Sequence, residues 1–88
     1  MKTELSKCLN IGKDSAAKLK QAGIDSYEDL KQSGTEKAFL RVQAIDPGAC
    51  LSFLYGLDGA IKGIKWHQLS PERKKELQAF LKSTQKLI

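Results

Sequence analysis

Leu9-Asn10-Ile11-Gly12-Lys13-Asp14-Ser15-Ala16-Ala17-Lys18-Leu19-Lys20-Gln21-Ala22-Gly23-Ile24 carries the strongest local signal in the 88-residue chain. Gly12 stands where the chain must turn sharply and re-enter a helix, and a residue without Cβ tolerates the positive φ such turns often need. Asn10 is the non-glycine type that best accepts left-handed backbone, so it can replace the first glycine often seen in such bends. Ser15, Ala16 and Leu19 begin a helix predicted over residues 13–22, and Gly23 marks its stop. Ile11 and Ile24 flank this helix and are placed to pin both ends into a core. The first amides of the helix lack intrahelical acceptors, which makes a weak anion site beside Lys13. Together these are the parts of a helix-hairpin-helix, a module that grips nucleic-acid phosphates or only packs two helices.

On the N-terminal side, Leu5, Cys8 and Leu9 follow i, i+3, i+4 spacing, which predicts a short amphipathic helix from Thr3 to about Leu9. On the C-terminal side, Ser26 and Asp29 form a capping-box-like pair for a third helix with Tyr27 and Leu30 inward. Ser33-Gly34 ends it, and Thr35 is expected to cap a fourth helix burying Ala38, Phe39, Val42 and, as an open choice, Leu40. Asp46-Pro47 reads as a cap with proline at the first helical position, starting a fifth helix to about Lys62. Its stripe of Cys50, Phe53, Leu54, Leu57 and Ile61, with Leu51 and Tyr55 beside it, is apolar nearly all round, as in a central helix wrapped by neighbours. Gly56, Gly59 and Gly63 cost about 1 kcal/mol each in a helix, so their recurrence points to a close approach, by another helix or by a second copy of the chain. Ser70-Pro71 starts a last helix that buries Leu77, Phe80 and Leu81, with Leu87 or Ile88 as further candidates, and leaves Arg73, Lys74, Lys75, Lys82 and Lys86 solvated.

Length bounds the chain to one domain, and the hydrophobic share of 41% predicts a globular fold. Valine occurs once, at Val42, and no run alternates as a half-buried strand would. The expectation is an all-α, compact single domain over residues 1–88, of about five to six short helices with the helix-hairpin-helix at its N-terminus. No stretch is apolar enough to span a bilayer and Met1-Lys2-Thr3-Glu4 does not open a signal peptide, so no membrane contact and a cytoplasmic location are expected. Cys8 and Cys50 read as small buried hydrophobes kept reduced, although spacing alone leaves a disulfide open.

The formal charge of +5 is uneven. Residues 1–21 hold five lysines against two acids and residues 71–88 five bases against two acids, while residues 22–40 hold two lysines against four acids. Such a bipolar chain suits a phosphate partner at one pole, and equally a solvated surface. His67 is the single histidine and no Cys or carboxylate is spaced to act with it, so neither catalysis nor a metal centre is expected, and no cofactor. Phosphate binding is the live chemistry. Its donors are the amides of Gly12, Lys13 and Asp14, and its charge comes from Lys7, Lys13, Lys18 and Lys20. Asp14 opposes it, because its carboxylate suits the helix dipole and competes with an anion.

With the whole chain read, its order of features resembles the C-terminal domain of the TfoX/Sxy family of bacterial competence regulators. The resemblance rests on Gly12-Lys13-Asp14-Ser15-Ala16 with Leu19, on Ala22-Gly23-Ile24, and on Tyr27-Glu28-Asp29-Leu30. It continues through Gly34, Ala38 and Leu54-Tyr55-Gly56-Leu57-Asp58-Gly59-Ala60. Its most specific part is Gly63-Ile64-Lys65-Trp66-His67-Gln68-Leu69-Ser70-Pro71, followed by Lys74, Lys75 and Leu77. The resemblance implies an all-helical domain with a helix-hairpin-helix core, no catalytic residues, and a part in regulating natural transformation. Two-domain members act as coactivators beside the cyclic AMP receptor protein, and this chain is expected to start at the second of those domains. Two functions follow as expectations. One is a non-enzymatic regulatory accessory that contacts DNA backbone without sequence preference, through Gly12, Lys13, Lys7, Lys18 and Lys20, and works beside a transcription-regulatory protein. The alternative is a protein-interaction module that self-associates through the glycine-bearing face of residues 56–63 and binds no nucleic acid.

Overall fold

The structure is a computed structural model, and it describes residues 3–85. Five helices follow one another: α1 (Lys13–Gln21), α2 (Tyr27–Ser33), α3 (Thr35–Ile45), α4 (Leu51–Lys62) and α5 (Pro71–Gln85). Single 3-10 turns occupy Leu5–Lys7 and Trp66–Gln68, and no strand occurs among the described residues. The chain is all-α, as its periodicity requires.

The apolar helix expected to be central is central. Every residue from 54 to 60 of α4 is buried, and α4 packs against α2, α3, α5 and the Trp66–Gln68 turn. Leu19, Ile24, Leu30, Phe39, Val42, Leu54 and Leu77 are wholly excluded from water. Phe39 joins three helices, with its ring centroid 6.2 Å from those of both Phe53 on α4 and Phe80 on α5. Ile11 and Ile24 are both buried, so α1 is pinned at either end. Ser26 Oγ accepts the Asp29 amide at 3.1 Å, and Ser70 Oγ accepts the Arg73 amide at 3.1 Å, so both hydroxyl caps form.

Several local expectations fail for identifiable reasons. The first limb is one 3-10 turn, Leu5–Lys7, rather than a helix to Leu9; Leu5 is buried in the core, Cys8 packs against it half-buried, and Leu9 is left exposed. Asp46-Pro47 does not start α4. The Asp46 carbonyl accepts the Ala49 amide at 3.0 Å and its carboxylate accepts the Gly48 amide at 3.2 Å, so Asp-Pro-Gly closes a β-turn and α4 begins at Leu51. Cys50 is consequently exposed before α4 instead of lining its stripe, while Cys8 is half-buried; both are free thiols. Thr35 caps nothing: Gly34 occupies the cap, and the Thr35 hydroxyl donates to Asp58 Oδ1 at 2.8 Å. Leu40 is exposed rather than inward. The expectations for Lys86, Leu87 and Ile88 lie outside the described residues.

Arg73, expected in solvent, is instead half of the main buried ion pair. Asp58 on α4 is only 2% exposed. Its carboxylate accepts from Arg73 Nη2 at 2.9 Å, from Lys62 Nζ at 2.9 Å and from the Thr35 hydroxyl. Arg73 reaches on to Glu36 Oε1 at 3.2 Å, so one guanidinium ties α5 to α4 and α3. Burial pushes the Asp58 carboxyl up, but Arg73, Lys62 and Thr35 together outweigh it and hold the group below the usual carboxylate range. Its hydrogen bond to Asp58 raises the Arg73 pKa further above its already high ordinary value.

Gly56 and Gly59 of α4 answer to a loop rather than to another helix. A Cβ on Gly59 would lie 2.5 Å from Asn10 Nδ2, 2.8 Å from the Ile64 carbonyl oxygen and 3.2 Å from Trp66 Cα. Gly56 faces the Asn10 backbone oxygen more loosely, at 3.4 Å. Gly63 ends the helix with φ 72°, a left-handed stop that favours glycine.

This packing sets the outcome of four substitutions. Asp58→Ala leaves the Thr35 hydroxyl without its buried acceptor and Arg73 with only the more exposed Glu36 and Glu76, and should cost about 2 kcal/mol in urea unfolding. In the wild type, the Asp58 contribution is complete above an unfolded carboxyl pKa of about 3.9 and is lost as pH falls through the lower folded value; Asp58→Asn should remove that share of the acid-side fall in Tm. Gly59→Ala should destabilise by at least about 1 kcal/mol despite alanine's better helix propensity, since two of the three obstructing atoms are backbone. Gly12→Ala meets open space at φ −90° and should change stability by less than about 0.5 kcal/mol.

Candidate functional site

The bend between the first 3-10 turn and α1 is made by Asn10, not by Gly12. Asn10 has φ 69°, the one positive φ outside glycine among the described residues. Gly12 is extended at φ −90°, ψ −175°, so its backbone does not require the absence of a side chain. The Asn10 side chain then does what a glycine there could not. Its Nδ2 donates to the Ile64 carbonyl at 2.9 Å, and its Oδ1 accepts the Trp66 amide at 3.0 Å. The side-chain amide thus fills both hydrogen-bonding sites of a backbone segment more than fifty residues away, above the gap left by Gly59. The sequence argues for Asn10 only through its tolerance of left-handed backbone.

This clamp fixes the head of α1. Gly12 occupies the cap, its carbonyl accepts the Ala16 amide at 2.9 Å, and no side chain caps the helix. The amides of Lys13, Asp14 and Ser15 precede that first helical bond, and residues 12–14 are all exposed. Lys13 stands at the first helical position. Lys7 is exposed on the 3-10 turn that packs on α1, and Lys20 is exposed in the last turn of α1. Lys18 is drawn aside: its Nζ lies 2.7 Å from Asp46 Oδ2, and their hydrogen bond raises the lysine pKa and lowers that of the carboxyl. Asp14 is exposed in the first turn, so the opposing charge foreseen in the sequence is present.

Beyond the clamp, the loop held by Asn10 presents Trp66, which is 42% exposed. Its ring stacks on Tyr55 of α4 with centroids 6.0 Å apart and planes 15° from parallel. His67 meets it edge-on, and Lys74 Nζ lies 5.9 Å from its centroid. Tyr55 is fixed in turn by Gln78, whose Nε2 donates to its hydroxyl at 2.8 Å. On the other flank, Lys7, Cys8 and Leu9 border an open groove of about 260 Å³ whose far wall is Tyr27, Ala60 and Gly63. A more polar groove of about 390 Å³ lies by α2 and α3, between Asp29, Gln32, Ser33, Lys37 and Arg41. Burial raises the Cys8 thiol pKa, whereas the contact with Ser52, Sγ to Oγ at 3.0 Å, lowers that of Cys50. Among the described residues no cluster of His, Cys, Asp and Glu has the makings of a metal site, and no helix is long and apolar enough to cross a membrane.

The chain matches the family model of the TfoX C-terminal domain over residues 1–81. It is also similar to two crystal structures from Listeria monocytogenes. One, a triclinic form of an uncharacterised protein, is 42% identical with a TM-score of 0.93, over 94% of each chain. The other, a tetragonal form of a protein of unknown function, is 44% identical with a TM-score of 0.88, over 90% of this chain and 98% of that one. No curated protein matches. The family match over residues 1–81 settles the assignment: the chain belongs to the TfoX C-terminal domain family.

Proposed function

We propose that this domain is a non-enzymatic accessory module of competence or transcription regulation, which contacts DNA backbone without sequence preference through the head of α1. The observation that carries the reading is the uncapped, solvent-facing start of α1 at Gly12, with Lys13 on its first turn and Lys7 on the turn packed against it. Amides and ammonium groups there suit phosphate oxygens and carry no base information. Membership of the TfoX C-terminal domain family supports the regulatory setting. A cytoplasmic location belongs to the same reading. Lys18 sits in a surface ion pair with Asp46, so in this reading it contributes less than Gly12, Lys13, Lys7 and Lys20.

A second reading, a protein-interaction surface, draws on a different observation. Asn10 fills the space beside Gly56 and Gly59 from within while Gly63 stays open, so self-association through this face would use its Gly63 end. Leu40 and Ile45 on α3 are 44% and 49% exposed and supply apolar area for a protein partner.

Titration of a fluorescent DNA duplex at two salt concentrations separates these readings. With roughly three phosphates neutralised, log Kobs should fall by about 2.7 for each unit rise in log salt. Lys13→Glu should weaken binding by about tenfold or more, whereas Lys18→Gln should have little effect. A flat salt response, or a Lys13→Glu protein that binds like the wild type, removes the phosphate reading. Sedimentation of wild type and Leu40→Glu tests the alternative, which predicts a concentration-dependent oligomer lost in the variant.

A further inference from the structure

The loop that Asn10 holds carries a feature that backbone binding leaves unused. Trp66 is one of four large apolar side chains left exposed among the described residues, and the only one that is aromatic. Its backbone is not free to retreat. The Trp66 amide is bonded to Asn10, the Lys65 amide donates to Gln68 Oε1 at 3.1 Å, and the Gln68 amide donates to the Lys65 carbonyl at 2.9 Å. The ring is braced from behind by Tyr55, itself held by Gln78. A braced, half-exposed indole is a ready stacking platform, because little ordering remains to be done when a flat ligand arrives.

Lysines border it, with Asp14 on the first turn of α1 as the opposing charge. Lys65 precedes the indole and Lys74 stands over its ring. Across the clamp, Lys13 is three residues from Asn10, a reach of about 11 Å at most along the chain. Among the described residues Lys7, Lys13, Lys65 and Lys74 form no ion pair, in contrast to Lys18 and Lys62. Besides the indole, the Lys74 ammonium reaches only the His67 carbonyl, at a long 3.5 Å, so it can pass to a phosphate when a base takes its place over the ring. An aromatic platform bordered by unpaired cations matches an unpaired base with its flanking phosphates, the repeating unit of single-stranded DNA.

We propose that this surface takes single-stranded DNA in preference to duplex, with Trp66 stacking on one unpaired base and Lys65, Lys74, Lys13 and Lys7 meeting the phosphates on either side. The proposal rests on the phosphate reading above and extends it from the head of α1 across the Asn10 clamp. It assigns to Trp66 a role in binding that a duplex, whose bases are stacked on each other, cannot use.

Trp66 is the only tryptophan in the chain, so its emission reports the contact without a label. An oligothymidine strand, and the same strand paired with oligoadenine, are titrated at low salt while intrinsic fluorescence is followed. The expected result is quenching by the single strand, at a Kd about tenfold below that for the duplex. Trp66→Ala, with helicity checked by circular dichroism and binding read from the anisotropy of a fluorescently labelled strand, should lose that advantage and bind both forms alike; Trp66→Phe, read the same way, should keep most of it. In the wild type, equal affinity for both forms with unchanged emission overturns this proposal and leaves backbone binding standing. Absence of binding to either form overturns both.

Discussion

One side-chain amide sets the relation between the two halves of this domain. Asn10 must be left-handed to turn the chain, must be short and bifunctional to bond both Ile64 and Trp66, and must find no Cβ beneath it on α4. Its left-handed φ, its two long-range hydrogen bonds and the glycine at position 59 are therefore one constraint seen from three sides. Glycine at position 10 would satisfy the first requirement and lose the second. Alanine at position 59 would leave the hydrogen-bonding groups in the chain but no room for them to meet. Two such bonds are worth roughly 1–3 kcal/mol together, a large share of what holds a small domain folded.

The second tie between distant parts is electrostatic. Asp58 and Arg73 draw α3, α4 and α5 together at the end of α4 next to the clamped loop. A buried pair of this kind adds little net stability over apolar residues of similar volume, but it makes other arrangements of the same helices costly by leaving a charge unpaired. Clamp and ion pair divide the work. The first fixes where the N-terminal bend lies against α4, and the second fixes where α5 lies. Between them the loop carrying Trp66 has no freedom to fold its indole away, and the start of α1 is left facing water.

The helices were legible in the sequence wherever the governing signal was local. α1, α2 and α5 announce themselves by Ser26, Ser70-Pro71, Gly23 and the spacing of Leu19, Leu30 and Leu77. The burial of α4 follows from its composition. Local signals misled where two of them compete: Asp46-Pro47 is a valid helix start, but Gly48 immediately after proline makes a turn the stronger outcome. What sequence could not supply was pairing across distance. Nothing near Asp58 indicates Arg73, fifteen residues on, and a basic run such as Arg73-Lys74-Lys75 reads as a solvated face. The Asn10 clamp joins residues 54 and 56 positions apart, and only the Asn type and the recurrence of α4 glycines hint at it. For the same reason Lys18, spaced like its neighbours on α1, was indistinguishable from them until Asp46 was found beside it.

If the clamp organises the surface as described, the Trp66 amide is its most direct reporter. Trp66 opens a 3-10 turn, so its N–H has no acceptor within that turn, and among the described residues Asn10 Oδ1 is the group that takes it. Amide hydrogen exchange should find this proton protected in the wild type although its residue is exposed. In Asn10→Gly, where the left-handed φ survives and the clamp does not, it should exchange much faster while core amides such as Leu57 stay slow. A Trp66 amide that exchanges at the same rate in both proteins would contradict the account.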